Sequence, residues 1–247
     1  MANAFRVEDL TVAYDREPVL WDIDFEVPMG TIMGIVGPNG AGKTTLIKAA
    51  LGLIKPLSGH VLFYDLPYKK VYKRIGYVPQ KGSVDWDFPT TVLDVVLMGR
   101  YGHVGWLKPL RAKDKKVAID ALKKVDMFAY AKRHISELSG GQQQRVFIAR
   151  ALAQDADIYF MDEPFQGVDV KTEKAIVELF KKLKAENKTV IVVHHDLNTV
   201  KMYFDWVMLL NVKIVASGPI EAVYTRDNIA KTYRSDVLME AERDSDV

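Results

Sequence analysis

The chain contains no cysteine among its 247 residues and no long hydrophobic run. The absence of cysteine excludes disulfide scaffolds, thiolate zinc sites and cysteine nucleophiles. The most apolar stretches, Thr189–Val193 and Trp206–Leu210, are far shorter than the roughly 18–20 apolar residues that a membrane-spanning helix needs. The first residues form neither a basic segment nor an apolar one, so we expect no signal peptide. We therefore expect no membrane span and no export.

The chain also has little excess charge, because 34 Lys and Arg residues face 32 Asp and Glu residues and leave a net charge of +2. This small excess gives no reason to expect a nucleic-acid partner or an anionic membrane surface. The contents of 49% hydrophobic and 27% charged residues are ordinary for a globular protein, and they exclude a disordered or collagen-like chain. The length fits one large domain or two modest ones.

Strand and helix patterns alternate along most of the chain. Residues 5–30 have the alternating apolar and polar positions of strands, whereas helical spacing dominates about residues 81–155, with a predicted loop at Tyr101–Lys108. The alternation predicts an α/β protein with a parallel sheet. Further strands are predicted at Thr31–Val36, 59–64, 75–78, Ile158–Met161, Thr189–His194 and Trp206–Leu210, and helices at Thr44–Leu51, Thr90–Met98, Arg111–Val125, 142–154, Thr172–Glu186 and Leu197–Tyr203.

A glycine-rich segment between a predicted buried strand and a helix fits the phosphate-loop pattern G-x-x-x-x-G-K-[ST] in full. Such a loop needs backbone N–H groups that converge on an anion, so side chains must be absent where the loop closes. Lys43 would place its charge near the β- and γ-phosphates, and Thr44 would offer a hydroxyl ligand to Mg²⁺. The alternative is a glycine-rich turn with an exposed lysine. The segment comprises Gly37, Pro38, Asn39, Gly40, Ala41, Gly42, Lys43 and Thr44.

Two carboxylates follow the predicted strand Ile158–Met161. Asp162 would belong to the Mg²⁺ shell, and Glu163 would lie beside the attacking water. Pro164 restricts Glu163 to an extended conformation, which favours a fixed carboxylate at the end of the strand. The alternative is that Asp162 and Glu163 only cap the turn that follows.

The segment Leu138-Ser139-Gly140-Gly141-Gln142 precedes another predicted helix. From Ser139 to Gln142 it fits an ordinary capping box. Adjacent glycines at a helix N-terminus also expose backbone donors, which makes a second anion site without a lysine of its own. Two half-sites in one chain suggest that each completes the other across a dimer.

Through these motifs the sequence resembles the ATP-binding cassette (ABC) family, of which LSGGQ is the signature motif. The resemblance extends from about residue 5 to about residue 225. The resemblance implies an α/β, P-loop NTPase (RecA-like) fold: a parallel-sheet core, an antiparallel β subdomain and an inserted α-helical subdomain. It implies one nucleotide-binding domain over residues 1–247. The β-rich part would span about 1–30 and 55–80, the helical subdomain about 81–155 and a charged tail 240–247, and the remainder would form the ATPase core.

The resemblance also implies roles for single residues. Glu163 is the implied general base, and His195, which precedes Asp196, is the implied switch histidine; with Lys43 they form the implied catalytic set. Gln80 would sense Mg²⁺ and contact the permease, and the implied Mg²⁺ ligands are Thr44, Gln80 and Asp162. The implied ATP-binding residues are Tyr14, Gly37, Pro38, Asn39, Gly40, Ala41, Gly42, Lys43, Thr44, Thr45, Gln80, Ser139, Gly140, Gly141, Gln142 and Asp169.

The chain departs from the family pattern at two places. Gln166-Gly167-Val168-Asp169 replaces the commoner Ser-Ala-Leu-Asp of the D-loop, and His194 stands where the family usually has Thr. A metal site at His194 and His195 is disfavoured, because successive strand residues point to opposite faces.

Tyr14 matches an aromatic residue that stacks on adenine, but Leu10 and Val12 share its strand face, so a core role is the alternative.

The resemblance implies ATP hydrolysis in a head-to-tail homodimer that drives a separate permease from the cytoplasmic face of the membrane, with no nucleic-acid partner. Gln80 and Ser83–Pro89 would contact the permease; alternatively, Trp86 and Phe88 of this block pack within the helical subdomain. Rival interpretations are an exporter or lipid-transporter cassette, an ABC ATPase acting on ribosomes or DNA, and a small-molecule P-loop kinase.

Four segments look like the branch that serves bacterial manganese, zinc and iron uptake, in which an extracytoplasmic metal-binding protein also takes part. We rank manganese first, zinc second and iron third. The segments are Val84–Pro89, Phe165–Asp169, Val193–Leu197 and Tyr203–Trp206.

Overall fold

The computed structural model describes residues 3–14, 17–80, 89–105 and 108–233. The chain forms two compact units: Met1–Val71 together with Ile191–Val247, and Tyr72–Val190. Across the described residues, no helix combines the length and the apolar character needed to cross a bilayer.

The first unit contains an antiparallel sheet whose strand order is β2-β1-β4-β5. Its core includes Phe5, which stacks on Phe63 with ring centroids 4.9 Å apart and meets Phe25 edge to face at 5.3 Å. The sheet forms because apolar residues alternate along its long strands, as in the buried positions of β1. Its strands are β1 (Asn3–Tyr14), β2 (Glu17–Pro28), β4 (Ser58–Phe63) and β5 (Leu66–Pro67).

Parallel strand pairing is also present in the first unit. Strand β3 (Ile32–Val36), in which every residue is buried, pairs in parallel with β9 (Trp206–Asn211), and β10 (Lys213–Pro219) pairs antiparallel with β9. Continuous apolar runs such as β3 and β9 are typical of parallel strands covered on both faces. The helices of this unit are α1 (Lys43–Ala50), α2 (Tyr68–Val71), α8 (Val200–Tyr203), α9 (Ile220–Val223) and a further helix over 226–233.

The second unit contains the parallel strands β6 (Ile75–Val78) and β7 (Ile158–Asp162). All five residues of β7 are buried. Strand β8 (Thr189–His194) carries the chain from this unit into the first. The helices are α3 (Val92–Met98), α4 (Tyr101–Val104), α5 (Ala112–Lys124), α6 (Gly140–Ala153) and α7 (Val170–Ala185), with 3-10 turns at Tyr72–Arg74, Phe128–Tyr130 and Ile135–Glu137.

The structure confirms most of the predicted strands and helices and corrects two. The predicted loop Tyr101–Lys108 contains α4, which ends at Gly105, where φ is +87°. The predicted helix Leu197–Tyr203 is helical only over Val200–Tyr203, because the Asp196 carboxylate accepts a hydrogen bond from the Asn198 N–H and holds a turn there. The pattern did not predict β10, which follows β9 after a reversal at Val212. The charged tail 240–247 lies outside the described residues.

Candidate functional site

The glycine-rich loop follows β3 and precedes α1, as its motif predicts. A Cβ atom at Gly37 would lie 1.9 Å from the carbonyl oxygen of Leu210, so no other residue fits there without moving the backbone. Gly42 has a φ of +91°, and a Cβ there would lie 2.7 Å from the carbonyl oxygen of Val19. Both glycines are therefore needed for the conformation of the loop itself.

Helix α1 begins at Lys43 without a side-chain cap, because the N-cap residue is Gly42. Lys43 is only 7% exposed, and its Nζ donates hydrogen bonds of 2.7 Å each to the carbonyl oxygens of Gly37 and Pro38. The ammonium group is thus held against the loop, next to the positive end of the helix dipole. Uncapped backbone donors and a buried ammonium group together suit a phosphate chain, and the Thr44 hydroxyl next along the helix suits a hard cation such as Mg²⁺.

In the second unit, Asp162 ends β7 and is fully buried. Burial of the Tyr77 phenol, followed by the negative charge of Asp162, raises the pKa of Tyr77 to about 12. Glu163 follows with a φ of +50°, a left-handed conformation that is uncommon for a glutamate. The expectation that Pro164 keeps Glu163 extended is therefore wrong, because Glu163 begins a turn that the Gln166 N–H closes on its carbonyl oxygen.

The structure brings Gln80 and Glu163 together, although 83 positions separate them. Gln80 Nε2 donates a hydrogen bond of 3.0 Å to Glu163 Oε2. This bond fixes one carboxylate oxygen of Glu163. Glu163 also contacts the D-loop, because its carbonyl oxygen accepts a hydrogen bond of 3.1 Å from the Gln166 N–H.

The signature segment forms the capping box that its spacing predicts. Ser139 Oγ accepts a hydrogen bond of 3.4 Å from the Gln142 N–H, and Gln142 Oε1 accepts one of 3.0 Å from the Ser139 N–H. Gly141 differs from the loop glycines, since a Cβ there would meet Val168 only at an ordinary 3.7 Å. The described part of the chain therefore supplies no steric reason for a glycine at this position.

Asp169 is the N-cap of α7, where its Oδ1 accepts a hydrogen bond of 2.8 Å from the Thr172 N–H. This backbone hydrogen bond is the main cause that lowers the pKa of the Asp169 carboxyl below its ordinary value. The cap orients the start of α7 and gives Asp169 a structural role that is independent of any nucleotide.

His194 and His195 occupy different environments. His194 is 3% exposed and its Nε2 lies 2.7 Å from Thr199 Oγ1, which itself donates to the Asp196 carbonyl oxygen at 3.1 Å. Burial, followed by the proximity of His195, lowers the pKa of His194 to about 4. His195 is exposed. Among the described residues, neither histidine belongs to a group of three potential metal ligands.

The hydrogen bond from His194 to Thr199 is a feature that the sequence motifs did not reveal. It closes the segment that carries His195, and the Tyr224 hydroxyl donates a further hydrogen bond of 2.8 Å to the Leu197 carbonyl oxygen. The sequence pointed to this segment through the implied switch histidine His195 and through His194 at a position usually held by threonine, but neither signal predicts this hydrogen bond.

The structure also bears on Tyr14 and on the block Ser83–Pro89. Tyr14 is 50% exposed while Leu10 and Val12 are fully buried, so the alternative that Tyr14 is a core residue is wrong. Of the expected permease-contacting block Ser83–Pro89, only Pro89 lies within the described residues.

Comparisons with known proteins agree with these motifs. The profile of the ABC transporter family matches residues 20–166, more than half of the chain. The manganese transport system ATP-binding protein of Bacillus subtilis is 60% identical over 92% of this chain and 91% of its own. The zinc transport system ATP-binding protein of Treponema pallidum is 56% identical over 94% and 87%.

Solved structures agree as well. An ATP-binding cassette in a dimeric, post-hydrolysis state bound to ADP and Pi matches with a TM-score of 0.75 at 29% identity, over 87% of this chain and 98% of its own. With a family profile over more than half of its length and such relatives over nine tenths of it, the chain belongs to the ABC transporter family.

Proposed function

We propose that the chain is the ATP-binding and ATP-hydrolysing subunit of an importer for a divalent metal ion, with manganese favoured over zinc and zinc over iron. The observation that carries the ATPase function is the glycine-rich loop, in which two glycines are sterically required and Lys43 is held against the loop carbonyls. The names of two similar relatives support manganese or zinc as the transported ion.

Within this proposal the loop residues Gly37–Thr44 and Thr45 bind the phosphates through backbone N–H groups and the Lys43 ammonium, and Tyr14 stacks on adenine. Thr44, Gln80 and Asp162 would hold Mg²⁺, which would supply positive charge to neutralise the phosphates. Glu163 accepts the proton of the attacking water, and its hydrogen bond from Gln80 orients the carboxylate for this task. His195 orients the γ-phosphate.

The chain would act as a homodimer in which Ser139–Gln142 of one protomer contact the nucleotide bound to the loop of its partner. The unexplained glycine at position 141 supports this arrangement, because a ligand from outside the chain would need the space that the chain itself leaves open. The dimeric cassette with ADP and Pi shows that a related protein assembles in pairs. Asp169 would lie at the same interface.

The coupling to transport would need an integral membrane permease, which holds the ATPase at the cytoplasmic face of the membrane. Gln80 and the block Ser83–Pro89 would contact this permease. An extracytoplasmic metal-binding protein would deliver the ion to the permease and would not touch this chain.

The experiment that tests the transport proposal is deletion of the gene, followed by growth under separate limitation of manganese, zinc and iron. We expect a growth defect under manganese limitation that the wild-type gene repairs and the Lys43→Ala variant does not. Rescue of the deletion strain by added zinc alone would overturn the ranking of manganese. A strain that grows normally under all three limitations would overturn metal import.

A further inference from the structure

The second unit contains a cavity of about 200 Å³ between α4 and the beginning of α5, which we call the α4–α5 cavity. Its volume exceeds the roughly 30 Å³ that one water occupies in the liquid, so it has room for a small ligand. It lies on residues to which none of the sequence motifs assigns a role. Its lining contains five basic residues, one acidic residue and one apolar residue: Arg100, His103, Val104, Lys108, Arg111, Lys113 and Asp114.

The one carboxylate of the cavity is already engaged. Asp114 is buried, and its Oδ1 accepts a hydrogen bond of 3.2 Å from Arg100 Nε while its Oδ2 accepts one of 3.1 Å from the Arg111 N–H. The backbone hydrogen bond from Arg111 is the main cause that lowers the pKa of Asp114, which keeps this carboxyl ionised. Arg100 is further fixed by a hydrogen bond of 2.8 Å to the Ala153 carbonyl oxygen. Asp114 therefore balances Arg100 and holds it in place.

The other cations of the cavity are less closely paired, although the charge of Lys113 contributes to lowering the pKa of Asp114. Lys108, Arg111 and Lys113 form no ion pair within 4 Å in the part of the chain that the structure describes. His103 Nε2 lies 2.6 Å from the Gln154 carbonyl oxygen, to which it must donate, so this ring is also fixed at the rim. Lys108, Arg111 and Lys113 are exposed, and with Asp114 as the one carboxylate in the lining, positive charge exceeds negative charge around the cavity, which favours an anion there.

The polarity of helix α5 adds to this positive field. Arg111 is the N-cap and Lys113 the second residue of a 13-residue helix, at the end where the helix dipole is positive. Anions are stabilised at this end by about 0.3–1 kcal/mol, and cations are disfavoured there. The cations therefore oppose the stability of α5, which is expected where charge serves binding.

We propose that the α4–α5 cavity binds a phosphate group. Guanidinium and ammonium groups recognise phosphate through charge-assisted hydrogen bonds, and the fixed Arg100 would present a planar donor for it. The same chemistry occurs in a free phosphate-bearing anion and in the headgroup of an anionic phospholipid. The inference is independent of the proposed transport function, since it involves none of the residues placed at the nucleotide.

The test is calorimetric titration of the full chain with inorganic pyrophosphate, with ADP in excess to fill the phosphate loop. In parallel, flotation would measure binding to vesicles of phosphatidylglycerol, with vesicles of phosphatidylcholine as the reference. The variant Arg111→Gln/Lys113→Gln removes two cavity cations. The matched control Lys115→Gln/Lys116→Gln removes the same charge from exposed positions on α5 that do not line the cavity.

We expect the cavity variant to weaken binding at least tenfold while the control variant stays within twofold of the wild type. A loss confined to pyrophosphate identifies a free anion as the source, and a loss confined to phosphatidylglycerol vesicles identifies a lipid headgroup. If neither probe binds the wild type, or if both variants weaken binding equally, the proposed site is wrong.

Discussion

His194 shows how the surroundings of a buried side chain determine its pKa. Its ring is covered by Tyr203 and Phe204, with centroid distances of 6.1 and 5.4 Å, and its Nε2 is bonded to Thr199. A protonated ring would lose solvation in this environment, and the lowered pKa of about 4 expresses that cost. The sequence could predict that His194 lies on a buried strand, but its hydroxyl partner five residues later depends on the turn at Asp196–Asn198.

We expect the free energy of unfolding to fall as the pH drops from about 6.5 to about 4. In this range the unfolded chain binds a proton at His194 with the ordinary pKa of 6.5, whereas the folded chain does not. The loss amounts to at most about 3 kcal/mol. Urea unfolding at several pH values would measure it, with His194→Gln as the variant that cannot titrate there. Parallel pH profiles for both proteins would contradict the explanation.

Other residues of the site also differ in whether the sequence could predict their arrangement. The phosphate loop was predictable because its residues are contiguous and the requirement for glycine is local. The hydrogen bond between Gln80 and Glu163 was not, because each residue follows a different strand of the parallel pair β6 and β7. The left-handed conformation of Glu163 was also missed, since a following proline argues against a helical conformation but says nothing of a positive φ.

At the scale of elements, α6 combines a structural start with an unexplained glycine. The capping box of Ser139 and Gln142 begins the helix, and Gly141 then occupies its second position without a steric need. Glycine inside a helix costs about 1 kcal/mol relative to alanine. A position that loses stability without a local gain is expected to serve something outside the element.

We therefore expect Gly141→Ala to raise or preserve thermal stability while lowering ATP hydrolysis at least tenfold. The added methyl group fits the folded chain but would enter the space of a nucleotide held between protomers. Thermal unfolding and steady-state hydrolysis would be measured on the same preparation. The control is Gly102→Ala in α4, where a Cβ meets nothing within 4 Å, and it should leave hydrolysis unchanged. Wild-type turnover in Gly141→Ala would remove the reason for placing this glycine at the nucleotide.

Elements with a strong periodic pattern were predictable, and those defined by their neighbours were not. Helices α5 and α7 and strands β3, β7 and β8 agree with the patterns to within about two residues. Helix α4 was missed because Gly102 and Gly105 resemble a loop, whereas a hydrogen bond from His103 to the Gln154 carbonyl oxygen holds it in place. Strand β10 depends on pairing with β9, which no local pattern encodes.

At the scale of the whole molecule, the chain belongs to a transporter family, although none of its described helices could span a bilayer. The proposal of manganese or zinc as the transported ion rests on the names of relatives, whereas the ATPase function rests on the glycine-rich loop of this chain. The central claim is thus the ATPase reaction itself.

The most direct test of that claim compares the wild type with Glu163→Gln. The steady-state rate of ATP hydrolysis is measured in the presence of Mg²⁺, and the affinity for ATP is measured on the same proteins. We predict that Glu163→Gln binds ATP as tightly as the wild type but hydrolyses it about 10²–10⁴ times more slowly, because it lacks the general base. Glu186→Gln, which changes an exposed glutamate at the end of α7, should retain the wild-type rate. Hydrolysis by Glu163→Gln at the wild-type rate would contradict the proposed mechanism.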